Sequence, residues 1–89
     1  MLVALIARDK PGAIATRKEN RDAHLAYIED TGHVLMAGPL IEEEEMVGSL
    51  VILEVTDMEA AEKWAEDDPY AKAGLFESVQ LTEWKKVIG

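Results

Sequence analysis

Eighty-nine residues, 48% of them hydrophobic, are enough for one small domain spanning residues 1–89 with a core of its own, and they argue against wholesale disorder. A formal charge of −9, from 18 acidic and 9 basic residues, opposes a phosphate backbone or an anionic membrane, so neither nucleic acid nor membrane is an expected partner. Cysteine is absent, which removes disulfides, thiol catalysis and thiolate metal sites, and MLVALIA lacks the length and basic leader of a secretory segment, so the expected compartment is the cytoplasm.

Met1 to Arg8 form an apolar run without alternation, closed by Asp9-Lys10-Pro11-Gly12. It reads as a strand that needs cover on both faces. A helix follows from about Ala13 to Thr31, with Gly32 suited to a left-handed cap. Val34 to Leu40 reads as a second strand, and Pro39, which cannot donate to a ladder, makes it an edge strand or one that ends there. The acidic run Glu42 to Glu45 reads as a solvated hairpin tip, because a calcium loop spaces its carboxylates to wrap the ion.

Gly48 to Val55 is a third strand, again apolar on both sides. Thr56 to Glu59 matches a capping box at the start of a second helix. Met58, Ala61, Trp64, Ala65 and Asp68 follow three–four spacing along that helix, and Pro69 ends it. Tyr70 to Gly74 link it to a fourth strand from Phe76 to Val87. There Val79 and Leu81 share one side, and Phe76, Ser78, Gln80, Thr82 and Trp84 share the other. The order βαββαβ predicts a ferredoxin-like α+β sandwich, a four-stranded antiparallel sheet with both helices on one face. The helices leave one apolar sheet face bare, and a homodimer packed through that open face covers it most simply.

The first helix carries an irregularity. At about 100° per residue, Ile14, Arg17, Arg21, Leu25 and Ile28 all fall within about a third of a turn of His24. Charges normally occupy the opposite side from the isoleucines. The stripe therefore lies at a wet edge, with arginine stems along apolar surface, or it lines a polar pocket. A lone helical histidine is most often structural, but Asp68 comes from the inward side of the second helix, which packs on the same sheet face. A carboxylate on one imidazole nitrogen fixes the tautomer and leaves the other nitrogen for general acid–base work.

Arg17 and Arg21 then read as a clamp for a carboxylate or enolate oxygen of a small anionic molecule. Ser49 is a candidate donor into the site and Tyr70 a candidate wall. Two histidines without thiols or paired spacing make no metal site, and no phosphate loop, dinucleotide fingerprint or serine elbow is present, so no cofactor is expected.

R-x3-R-x2-H-L from Arg17 to Leu25, A-G-P from Ala37 to Pro39, G-S at Gly48-Ser49, D-P-Y-x-x-A-G-L from Asp68 to Leu75 and W-K-K from Trp84 to Lys86 together resemble the YCII-related (YciI-like) family over essentially the whole chain. The resemblance implies a dimeric α+β barrel with a His24–Asp68 pair at its active site and Arg17, Arg21 and Ser49 nearby. Relatives that act on small ring compounds include a dehydrochlorinase of chlorinated aromatic breakdown, and the fold is similar to that of muconolactone isomerases. The expected activity is cofactor-independent proton transfer of the isomerase or lyase type. The alternative is a non-catalytic dimer that binds a small anionic metabolite in the same pocket.

Overall fold

The computed structural model describes residues 1–89. Strand β1 (Leu2–Asp9) leads to helix α1 (Ile14–Thr31), then to the hairpin of β2 (Val34–Glu42) and β3 (Glu45–Glu54), helix α2 (Met58–Asp67), the short helix α3 (Pro69–Lys72) and β4 (Phe76–Trp84). The sheet order is β2-β3-β1-β4, and every neighbouring pair is antiparallel. This is the predicted ferredoxin-like architecture. No helix is long and apolar enough to cross a membrane.

Strand periodicity divides β1 between two environments. Val3, Leu5 and Ala7 are fully buried and form the core with Val51, Leu53 and Val55 of β3 and its following residue, and with Ala61 and Trp64 of α2. The alternate residues face away from the helices. Ile6 is 41% exposed and pairs across the sheet with Leu50, itself 39% exposed. An apolar surface that also includes Met36 and Trp84 thus remains uncovered by either helix.

Local signals explain most of the boundaries. Gly32 ends α1 in the left-handed conformation, at φ 67°, where a side chain would be strained. Helix α2 is capped by Asp57 rather than by Thr56. The Asp57 carboxylate accepts from the Ala60 N–H at 2.8 Å, and a full negative charge also favours the helix N-terminus. Pro39 does lie on an edge strand, but β2 continues past it to Glu42, since the edge leaves that position without a ladder bond to lose.

The hairpin then turns on Glu43 and Glu44, both at positive φ, 50° and 66°. Strand β4 ends at Trp84, short of Val87. Phe76 joins Leu81 against the core instead of facing away from it, because a register shift at Arg8/Asp9 reverses the alternation there.

Candidate active site

Of the 18 residues of α1, only Arg17 and His24 are buried. Helices bury apolar stripes, so a helix whose two most enclosed side chains are basic must present them to polar partners. Those partners come from three other elements.

Asp68 is delivered by the break between α2 and α3. A residue before proline disfavours the helical region, and Asp68 sits extended at φ −60°, ψ 127°, ending one helix and capping the next. It is 1% exposed. Its Oδ1 accepts the Tyr70 N–H at 3.0 Å and lies 2.8 Å from His24 Nδ1. With Nδ1–H donating to that oxygen, Nε2 carries the lone pair. No buried side-chain nitrogen or oxygen in the chain lacks a hydrogen-bond partner, and Nε2 has none, so Nε2 is not completely sealed, and His24 forms part of the wall of the cavity described below.

Tyr70 follows Pro69 on the first turn of α3. Its ring stacks on the imidazole, with centroids 3.9 Å apart and planes at 13°. The Arg17 guanidinium carbon lies 4.8 Å from the same ring centroid. Burial pushes the Tyr70 phenol above 10, with Arg17 and Arg21 pulling it the other way and Asp68 raising it further. The hydroxyl therefore remains protonated at neutral pH.

Arg17 reaches the end of β1. Its Nε donates to Asp9 Oδ2 at 2.7 Å, and its Nη2 donates to Asp9 Oδ1 at 2.9 Å and to Ser49 Oγ at 2.9 Å. Burial works to lower its pKa, but the hydrogen bonds and charge of Asp9 outweigh that and raise it further. Asp9 is a site residue that sequence reasoning placed in the β1 turn. The available signal was that a buried arginine needs a carboxylate partner. Arg21, one turn along α1, is exposed and makes no hydrogen bond or ion pair within the chain.

These groups surround a cavity of about 210 Å³ between α1, α3 and the helix-facing side of β2 and β3. Its walls are Arg17, Arg21, His24, Ser49 and Tyr70, completed by apolar residues of which Leu25, Ile28, Met46 and Val51 are the largest. Every residue singled out from the sequence either lines this cavity or, in the case of Asp68, lies directly behind it. The structure separates the two arginines: Arg17 is committed to Asp9, and Arg21 is the free cation. No three His, Asp or Glu side chains are grouped to hold a metal ion.

The chain has relatives. The family model for the YCII-related domain matches residues 1–85. Protein YciI of Escherichia coli is 38% identical over 97 aligned positions, which cover 98% of this chain and 99% of that protein. A 5-chloro-2-hydroxyhydroquinone dehydrochlorinase from Burkholderia phenoliruptrix, solved in complex with 2,5-dihydroxybenzoquinone, superposes with a TM-score of 0.87 at 33% identity, covering 96% of this chain and 94% of that one. Protein PA3566 of Pseudomonas aeruginosa shares the fold alone, with a TM-score of 0.60 at 12% identity over 98% of this chain and 93% of that one.

Proposed function

The chain belongs to the YCII-related family, and from that footing we propose that it is a small-molecule enzyme that moves a proton on a small anionic cyclic or enolic substrate. His24 Nε2 exchanges the proton, and Asp68 holds the imidazole through Nδ1. Arg21 meets the negative charge of the substrate, and Ser49 has a hydroxyl hydrogen left to donate to a substrate oxygen. The observation that carries this reading is an imidazole whose Nε2 has no partner in the chain, on the wall of a half-enclosed, mostly apolar cavity and backed by a buried carboxylate at 2.8 Å.

The volume suits a single ring. The elongated ligands of typical drug-sized pockets need about 300 Å³ or more, and this cavity offers about 210 Å³. In the general step, a C–H or O–H bond of the substrate breaks as the N–H bond at Nε2 forms, and the electron pair is left on an oxygen near Arg21. Return of the proton at another atom gives isomerisation, and expulsion of a leaving group by the same electron pair gives elimination. The 33% identical relative is named for dehydrochlorination of a hydroxylated ring, and elimination or isomerisation of such rings is the class we assign here.

A second copy covering the open sheet face belongs to the same proposal, since Ile6, Leu50, Met36 and Trp84 form an apolar surface there. Light scattering should give twice the chain mass at micromolar concentration. For the site, a thermal-shift screen of ring carboxylates and phenolic acids should raise the melting temperature of the parent protein. Arg21→Ala should lose that rise. A rise unchanged in Arg21→Ala would place binding elsewhere.

A further inference from the structure

Strands β2 and β3 keep a simple register along most of the cavity wall. Ala37 pairs with Val51 and Pro39 with Ser49, and all four line the cavity. The next pair on that face would be Ile41 with Val47. Instead Leu40 pairs with Gly48 and Ile41 with Met46, which leaves Val47 without a residue opposite. That two-against-one count is a β-bulge, and a bulge re-aims the side chains beyond it. By plain alternation Met46 would face away from the helices with Gly48 and Leu50. With the bulge it reaches the helix-facing side and joins the cavity wall. Gly48 lets the bulge lie close to β1, since a side chain there would collide with the Ala7 carbonyl oxygen and the Leu40 side chain.

Met46 also borders a second, smaller cavity of about 120 Å³. The other walls of that cavity are the turn between β1 and α1, from Asp9 to Ile14, and the start of β3 at Glu45 and Val47. Met46 is the one residue common to both cavities. Ala13, Ile14 and Val47 give the smaller one apolar surface. Its Asp9 is already paired with Arg17, and Lys10 and Glu45 carry opposite charges, so it suits an uncharged group. We propose that Met46 sets the size limit for substituents on the substrate ring: it closes the substrate cavity against the smaller one, and a shorter residue at position 46 joins the two.

This rests on the proposed anion site and adds the class of ring that the site accepts. With Met46 in place the substrate is a ring with small substituents, held within about 210 Å³. With the wall removed, a short alkyl group enters the adjoining space against Ile14 and Val47. Methionine is unbranched and fills irregular gaps, and Met46 is half-buried on a strand near the hairpin turn, so its truncation changes the wall without emptying the core.

Titration calorimetry with benzoate, 3-propylbenzoate and 4-propylbenzoate tests the limit. The wild-type protein should bind benzoate more tightly than either propyl compound. Met46→Ala should raise the affinity for at least one propylbenzoate, relative to benzoate, by about tenfold or more. Met46→Val, β-branched and suited to a strand, should shift the same ratio less, and melting temperatures check that each variant folds. Adding Val47→Phe to Met46→Ala fills the smaller cavity and should cancel the gain. A wild-type protein that already prefers the propyl compounds, a Met46→Ala variant that gains equally for benzoate, or a gain that survives Val47→Phe overturns the inference. Arg21-dependent benzoate binding with the propyl-to-benzoate ratio unchanged in both position-46 variants overturns it too and leaves the anion site standing. Failure of the wild-type protein to bind benzoate at all counts against both.

Discussion

Asp9 grips Arg17 with both carboxylate oxygens, at 2.7 and 2.9 Å, and both side chains are more than nine-tenths buried. This pair ties the end of β1 to the first turns of α1, which carries His24. Removing one member of such a pair strands the other charge in the interior, at a cost of about 3–5 kcal/mol. Arg17→Ala should therefore lower the urea midpoint severely. Arg21→Ala, at an exposed position without partners, should leave stability within about 0.5 kcal/mol while abolishing anion binding. Equal stability losses in the two variants would contradict this division.

Asp68 has two roles that substitution can separate. Asp68→Asn keeps an oxygen able to accept from Tyr70 N–H and should preserve the fold, yet it removes the charge that supports an imidazolium. Proton transfer should fall about a hundredfold to ten-thousandfold. Asp68→Ala should also lose the α3 cap, at about 0.5–2 kcal/mol. Paired measurements of melting temperature and turnover check both. An Asn variant with full activity would leave Asp68 as a cap alone.

Two tyrosines set the alkaline limit. Burial, with Asp67 and Asp68 adding to it, pushes the Tyr27 hydroxyl up to about 12, where it donates to the Trp64 carbonyl at 2.9 Å. Tyr70 is also raised, chiefly by burial. Between about pH 10 and pH 12 the unfolded chain loses protons that the native state keeps. Stability is thus complete below about pH 10 and declines as pH rises through that window. Urea midpoints across the range should show the decline, and Tyr27→Phe should flatten it. A Tyr27→Phe protein with the same slope would contradict the assignment.

Glu43 and Glu44 turn the hairpin at positive φ, a conformation suited to Asn-Gly in a two-residue loop and strained for glutamate. Replacing the pair by Glu43→Asn with Glu44→Gly should stabilise the protein by about 1 kcal/mol, read as a higher urea midpoint. A lower midpoint would mean that the glutamates make compensating contacts.

The candidate site's grouping of residues was legible because they break a helical pattern. Arg17, Arg21 and His24 share a stripe with Ile28, and Asp68 occupies an inward position just before Pro69. Periodicity and the residue before proline are local properties, so the chain displays them. Asp9 was not legible as a site residue, because its pairing with Arg17 depends on how α1 crosses back over β1. The inward turn of Phe76 depends on a register shift against Arg8/Asp9 on another strand, and no alternation within β4 records it. For the Asp57 cap, Thr56 offered an equally good local signal one residue earlier, and only the extended backbone at Asp57 decides between them.

The central claim is that His24 moves a proton to and from a ring compound in this cavity. Exchange of the ring C–H protons of 2,5-dihydroxybenzoquinone, the molecule bound by the Burkholderia relative, tests it most directly in deuterium oxide by proton NMR. Each exchange needs one protonation at carbon and one deprotonation, the two steps assigned to His24. The wild-type protein should accelerate loss of the C–H signal over buffer, and folded His24→Gln should not. Exchange no faster with the wild-type protein than with His24→Gln would contradict it.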